Sequence, residues 1–367
     1  MKSKFLSHKS RRRFILLISI FFICGFTTWL CFYSSTYPIG IPKLDGQYDP
    51  TWSPDGRFVA FKCSYSYPFD GFDITVPVLE SMDIGQEGTG DICLVDIGTW
   101  KLKRITHEGG AFHPVWSTDG SVLMWKHYSD GLMEYNLQTE AITESNNHTE
   151  YNMRDNKQPY VSSEGTLLSP NQQYLVRLTK VRGGYEFVVL EDNKEIYDSD
   201  FLIYLDPVWS PDNTILAVER ARDDDKQEVT FINLLTKEEF SLQFDLLIYF
   251  ISWSPDGKKV AIQTSEIGLS PELVSPPKEV LEILSFEIEE NTFSYSTVEQ
   301  KSYVLQGMVH GNIIWSPGGK YIAYSSNEPK KKLSDGGWLV NDDEIWLLDL
   351  ETDKQFPLVD KTFSLWQ

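Results

Sequence analysis

Trp52-Ser53-Pro54-Asp55-Gly56 decides the fold, because the same string returns at Trp253-Ser254-Pro255-Asp256-Gly257. Looser copies stand at Trp116-Ser117-Thr118-Asp119-Gly120, Leu168-Ser169-Pro170-Asn171, Trp209-Ser210-Pro211-Asp212-Asn213 and Trp315-Ser316-Pro317-Gly318-Gly319. Each reads as a strand end feeding a tight turn. Ser suits the first turn position, Pro pre-sets the negative φ of the second, and Asp then Gly accept the bridge and left-handed conformations that reverse the chain. Repetition of one turn speaks for architecture rather than for a reactive site.

A second strand with a shared pattern follows each turn: Val59-Ala60-Phe61, Leu123-Met124-Trp125, Leu175-Val176-Arg177, Leu216-Ala217-Val218, Val260-Ala261-Ile262 and Ile322-Ala323-Tyr324. The small central residue in four of them lets neighbouring sheets approach. A third strand, such as Ile92-Cys93-Leu94-Val95-Asp96 or Ile345-Trp346-Leu347-Leu348-Asp349, closes on Asp or Asn three residues before Thr. The pairs Asp96/Thr99, Asn136/Thr139, Asn233/Thr236 and Asp349/Thr352 predict a side-chain-to-backbone turn into a fourth strand. Four short antiparallel strands recurring every roughly 40–50 residues predict the blades of a β-propeller.

The repeat resembles the TolB-type, WD-like propeller repeat, Pro-x-Trp-Ser-Pro-Asp-Gly-x-x-Ile-Ala-Phe, with the leading Pro present at Pro50, Pro114 and Pro207. The resemblance covers about residues 44–359 and implies an all-β, six-bladed propeller related to the propeller domain of dipeptidyl-peptidase IV-like proteins. It implies little about activity, since that family includes protein-binding modules, sugar-processing lyases and gating domains of peptidases. The lyases use clustered His and Gln in the channel, whereas only His113 stands in register here, and no Gly-x-Ser-x-Gly elbow occurs. Catalysis is not expected.

The formal net charge is −20, while Lys2, Lys4, Lys9, Arg11, Arg12 and Arg13 precede the first acid of the chain, so the rest is more acidic still. Such a body repels phosphate backbones, and nucleic acid is not an expected partner. Residues 14–33 carry no charge, and roughly 20 helical residues cross a hydrocarbon core. With the basic cluster before it, this segment is expected to be a signal-anchor with a cytoplasmic N-terminus. Ser10-Arg11-Arg12-Arg13-Phe14-Ile15 also resembles a twin-arginine export signal. The expected organisation is therefore a basic segment over 1–13, the anchor over 14–33, a linker over 34–47, the propeller over 48–359 and a tail over 360–367. That places the propeller outside the cytoplasm, tethered to the cell membrane by a single pass.

Blade geometry separates two faces. Turns between strands one and two, and three and four, lie on one face and are short. Connections between strands two and three, and between blades, lie on the other and hold the long insertions at 63–90, 144–164, 264–279 and 326–343. Long loops on one face of a rigid scaffold mark the expected binding face. The first insertion carries Tyr65, Tyr67, Phe69 and Phe72, and the last carries Lys330, Lys331, Lys332 and Trp338. Aromatics with a cationic rim suit a protein partner; the alternative is that these aromatics pack the loops onto the blade tops and the lysines are solvated.

Three residues before the tryptophans, where the innermost strand enters from the loop-rich face, stand Asp49, His113, Asp206 and Asn312. A polar ring there could orient a small ligand such as a sugar, or hold a divalent cation, although no dedicated cofactor is expected. The alternative is that each side chain satisfies backbone N–H groups nearby. Cys63 and Cys93 fall on neighbouring strands of blade one, within disulfide reach, and a bond would staple the base of the first insertion. Two small buried thiols are the other reading.

Overall fold

The six copies of the turn head six four-stranded antiparallel sheets, each built from strands in chain order, with a two-stranded hairpin intervening in blade six. The computed structural model describes residues 43–66, 90–154, 165–220, 227–266, 276–289, 292–332, 338–340 and 343–359. The innermost strands are Lys43–Trp52, Ala111–Trp116, Gly165–Leu168, Val208–Trp209, Leu247–Trp253 and Met308–Trp315. The first begins inside the stretch expected as linker. Blade one packs against blade six, where Trp52, Val59 and Phe61 share a core with Ala323, Ile345 and Leu347, and this contact closes the ring. Blade six supplies all four of its own strands, Met308–Trp315, Tyr321–Asn327, Glu344–Asp349 and Lys354–Pro357. Among the described residues no helix is long and apolar enough to cross a membrane, and residues 14–33 lie outside them.

Each turn is stitched by its own side chains. Ser53 Oγ donates to Asp55 Oδ1 and accepts from the Phe58 N–H, and Asp55 Oδ1 accepts from the Arg57 N–H. The Ser254–Asp256 turn repeats these bonds. At the exposed Ser117–Asp119 turn the Ser121 N–H, with the Ser117 and Ser121 hydroxyls, holds the Asp119 carboxyl at about 2. The fifth position has positive φ in every copy, at Gly56, Gly120, Gln172, Asn213, Gly257 and Gly319. A Cβ at Gly120 would lie 3.2 Å from Pro54 Cδ, and one at Gly257 would lie 3.5 Å from Pro211 Cδ, so the Pro of one turn abuts the Gly of the next.

The tryptophans are the rivets between blades. Trp116 Nε1 donates to Thr51 O, Trp253 Nε1 to Val208 O and Trp315 Nε1 to Ser252 O, in each case the carbonyl just before the preceding blade's Trp. Trp52 stacks on Tyr321, Trp116 on Phe58 and Trp209 on Tyr174, again across blade boundaries. The small residues Ala60, Ala217, Ala261 and Ala323 are fully buried between sheets, which admits this close approach. The Asx turns take the form read from sequence: Asp96, Asn136, Asn233 and Asp349 each accept from the N–H groups two and three residues on.

Two features depart from the two-face scheme. The insertion after blade two holds a short helix, α1 (His148–Arg154), which lies along blade two. Tyr151 packs on Val115, Met124 and Leu132, and Glu150 Oε1 accepts from the Thr118 N–H and Oγ1 in the turn of the opposite face. Blade three has Leu168 in place of Trp, and that side chain is 58% exposed, so no indole rivets its boundary with blade two. A cavity of about 450 Å³ lies between blade two and α1, lined among others by Ser117, Met124, Glu134 and Glu150. In blade five the third and fourth strands, Glu279–Glu289 and Thr292–Val304, extend as a long hairpin on the face otherwise limited to short turns.

Candidate functional site

Strand bulges shape the segments in which the sequence-read polar residues stand. The pairing of the innermost strand with its neighbour slips between Tyr48 and Thr51 in blade one, Phe112 and Val115 in blade two, and His310 and Ile314 in blade six. Bulges at the rims of closed β structures bend the strand and re-aim its side chains. Within them Asp49 and His113 adopt φ of 51° and 50°, and their side chains meet with Nε2 to Oδ2 at 3.8 Å. Both are half exposed. Non-glycine residues in this region are uncommon.

The pair belongs to a longer arc. Phe112 lies edge-on to the His113 ring at 5.3 Å and tilts against Tyr128 at 4.7 Å, with Tyr128 69% exposed. On the other side Asp49 is close enough to His310 for its charge to act on that imidazole. His310 Nε2 lies 3.3 Å from Asp343 Oδ1, near enough for ion pairing although off the line of a hydrogen bond. Burial lowers the His310 pKa, but the Asp343 carboxylate outweighs it and the net shift is upward. Burial likewise raises Asp343, and His310, Asn327 and Tyr48 together hold it below the usual carboxylate value. Asn327 Nδ2 donates to Asp343 Oδ1 at 3.0 Å, and the Gln47 N–H donates to Asp343 O at 2.9 Å. Asp343 is thus the hub at which blade six receives blade one.

Several buried polar atoms here lack a hydrogen-bond partner: Gln47 Oε1, Asn327 Oδ1 and both ring nitrogens of His310. Gln47 is only 2% exposed. Buried polar atoms are normally paired, so each one left open needs a reason.

Of the four ring residues read from sequence, Asp49 and His113 come together. Asp206 is half buried, burial raises its carboxyl, and no ion pair joins it to the others among the described residues. Asn312 lies inside the blade-six bulge, with its side chain outside the described residues. Of the loop residues, Tyr65 is the penultimate residue of the second strand of blade one, Phe58–Ser66, and pairs in the backbone with Leu44. Tyr67, Phe69 and Phe72 lie outside the described residues, as does the Tyr65 side chain. Lys330 and Lys331 are exposed on a two-stranded hairpin, Pro329–Lys332 with Trp338–Val340, in which Lys332 pairs with Trp338. The Lys332 and Trp338 side chains are outside the described residues. Cys63 and Cys93 are disulfide-bonded, with Cα atoms 5.9 Å apart and both side chains buried. Their strands pair Phe61 with Cys93 and Cys63 with Asp91, so the bridge runs diagonally rather than between facing residues.

His310, Asp343, Asn327 and Gln47 carried no signal in the sequence, and the structure packs His310 beside Asp343. A second missed group is Glu219, 1% exposed in blade four, whose Oε2 accepts from the Tyr204 N–H just before Asp206. Burial pushes Glu219 to about 7, against the bonds from Tyr204 and Leu205. Glu279 in blade five is similarly pushed to about 7 by burial, despite bonds from Ser265 and Gln263. Among the described residues no three His, Cys, Asp or Glu side chains converge as metal ligands.

The class defined by these sheets is a six-bladed β-propeller. No protein-family model matches the sequence, and no curated protein matches it either. Among solved structures it is similar to the Cps50 (Swd1) β-propeller domain of Myceliophteria thermophila, at 10% identity and TM-score 0.38 over 86% of this chain and 88% of that one. It is also similar to TolB from Acinetobacter baumannii, at 16% identity and TM-score 0.34 over 71% of this chain and 55% of that one. An oligogalacturonate lyase from Vibrio parahaemolyticus matches at 12% identity and TM-score 0.35, over 89% and 81%. The blade count rests on this chain's own strand pairing.

Proposed function

We propose that this chain is a membrane-tethered, extracytoplasmic propeller serving as a protein-interaction module through its loop-rich face. The observation that carries the reading is the coincidence of two features on one face. Tyr128 stands in the connection between the second and third strands of blade two, the kind of connection that carries the long insertions in the sequence, and it tilts against Phe112 beside the Asp49–His113 pair. Exposed aromatics beside charged groups are typical anchors of a protein interface. The apolar run of residues 14–33 behind a basic flank supports the tether. A photo-cross-linking residue at Tyr128 should capture a discrete partner in cells, and one at the exposed Lys258 of the opposite face should not. Capture from Lys258 alone would overturn the choice of face.

A second reading, a sugar or other small polar ligand at the channel mouth with or without a divalent cation, is favoured by the left-handed backbone of both Asp49 and His113. Strained residues cluster at ligand sites. Ligand-dependent thermal stabilisation that disappears in Asp49→Ala and His113→Ala would separate it from the first.

A further inference from the structure

Successive side chains of a strand point to opposite faces of its sheet, so alternation assigns each residue to one neighbouring blade. In blade one Val59 and Phe61 pack toward blade six, and in blade two Leu123 and Trp125 pack toward blade one. The same two positions of blades four, five and six pack toward the preceding blade, and all are buried. In blade three these positions hold Leu175, which is half-buried, and Arg177, which is exposed. Every other pair of neighbouring blades shares an apolar core, whereas among the described residues blades two and three share none.

The facing side of that seam is already occupied. Val115, Met124 and Leu132 alternate with the blade-two residues that pack toward blade one, so they point toward blade three. What covers them is α1, through the fully buried Tyr151 ring. Two bonds hold the helix there. Glu150 Oε1 accepts from the Thr118 N–H at 2.6 Å and from its hydroxyl at 2.7 Å, and the Tyr151 hydroxyl donates to His113 O at 2.9 Å. The second bond ends on the bulge that brings His113 to Asp49.

The fit leaves room, since the cavity of about 450 Å³ remains between blade two and α1. Glu134 lines that cavity and pairs with Met124 across the strands, which places both on the same face. Among the described residues neither Glu134 nor Arg177 has an ion-pair partner. A carboxylate of blade two and a guanidinium of blade three therefore face one seam with their charges unused.

We propose that α1 is a wedge standing in the seam between blades two and three, and that its withdrawal lets blade three close on blade two with Arg177 against Glu134. Withdrawal bares Val115, Met124 and Leu132, and packing against Leu168 and Leu175 returns them to an apolar surface. The Tyr151 bond makes the coupling reciprocal: whatever moves His113 biases α1, and whatever displaces α1 releases the His113 bulge. The device does not rest on the interaction reading and holds whichever face binds protein.

The test is the distance between spin labels at Gln138→Cys and Lys194→Cys, exposed turn positions of blades two and three. It is read by pulsed electron resonance on the full-length chain carrying Cys24→Ser and Cys31→Ser, with the Cys63–Cys93 bridge intact. Glu150→Ala with Tyr151→Phe removes both holds, keeps the buried ring and should add a population several ångströms shorter. Tyr151→Ala should make that population dominant, and the first variant decides the matter where Tyr151→Ala fails to fold. Adding Arg177→Glu should remove the short population, because it sets like charges against Glu134. Labels at Gln138→Cys and Lys101→Cys, across the seam riveted by Trp116, should keep one distance throughout. The proposal is overturned by an unchanged 138–194 distance in Glu150→Ala with Tyr151→Phe, by equal shortening of the 138–101 pair, or by a short population that survives Arg177→Glu.

Discussion

Asp49 and His113 stand three residues before the tryptophans of adjacent blades, share the left-handed backbone conformation, and touch across the blade boundary at 3.8 Å. Local turn chemistry does not require that conformation. It follows from the bulge that each inner strand makes as it enters the ring.

The bulge sets the first prediction. Glycine enters the left-handed region without the Cβ penalty, and a β-branched residue pays it in full. His113→Gly should therefore change unfolding free energy by less than about 1 kcal/mol, while His113→Val should cost about 1–3 kcal/mol. Urea denaturation of the two variants decides it. Equal stability of both would mean that the bulge relaxes.

Glu219 gives a pH signature. Its folded-state value of about 7 lies above the ordinary glutamate value of 4.5, so the folded chain binds the proton more tightly than the unfolded one. The stability it contributes is full below about 4.5 and is lost as pH rises through about 7. Glu219→Gln, which stays neutral, should match wild type near pH 4 and exceed it at pH 8, by on the order of 3 kcal/mol. Melting curves across that range provide the measurement, and identical pH profiles would refute the assignment.

The Cys63–Cys93 bridge spans 30 residues, and closing such a loop in the unfolded chain is worth about 3–4 kcal/mol. Cys63→Ser with Cys93→Ser, or reduction in the unfolded state followed by alkylation, should lower the denaturation midpoint accordingly. An unchanged midpoint would show that the bridge adds nothing beyond packing.

The seams should differ in strength. Trp116 is buried and bonded to Thr51 O, so Trp116→Ala should cost about 3–5 kcal/mol. Leu168 occupies the same repeat position but is 58% exposed, so Leu168→Ala should stay within about 0.5 kcal/mol. Comparable losses at both positions would mean that blade three is held by Leu168 after all.

The repeat was legible in the chain because its signals are local. Ser, Pro, Asp and Gly at consecutive positions specify a turn through bonds spanning two to five residues, as at Ser53–Phe58, and alternating apolar residues specify the strands on either side. The helix along blade two was not legible, since residues 148–154 are short, polar and packed by a contact from Tyr151 to a distant strand. Nor was the long hairpin of blade five, whose strands simply continue past the usual turn point. The correspondence of Asp49 and His113 was legible from register, and the two side chains do lie together. Their neighbours His310, Asp343 and Gln47 were not, because nothing in their own flanking sequence sets them apart.

By itself the sequence determined the blade count and the register in which Asp49 and His113 correspond. Both follow from short-range backbone chemistry repeated six times. Only the tertiary structure decided what those residues meet. Ring closure brings Gln47 of the first strand to Asp343 of the last blade, and bulges turn Asp49 and His113 toward each other. Contacts between positions so far apart in the chain depend on how the sheets close on one another, which no local pattern encodes.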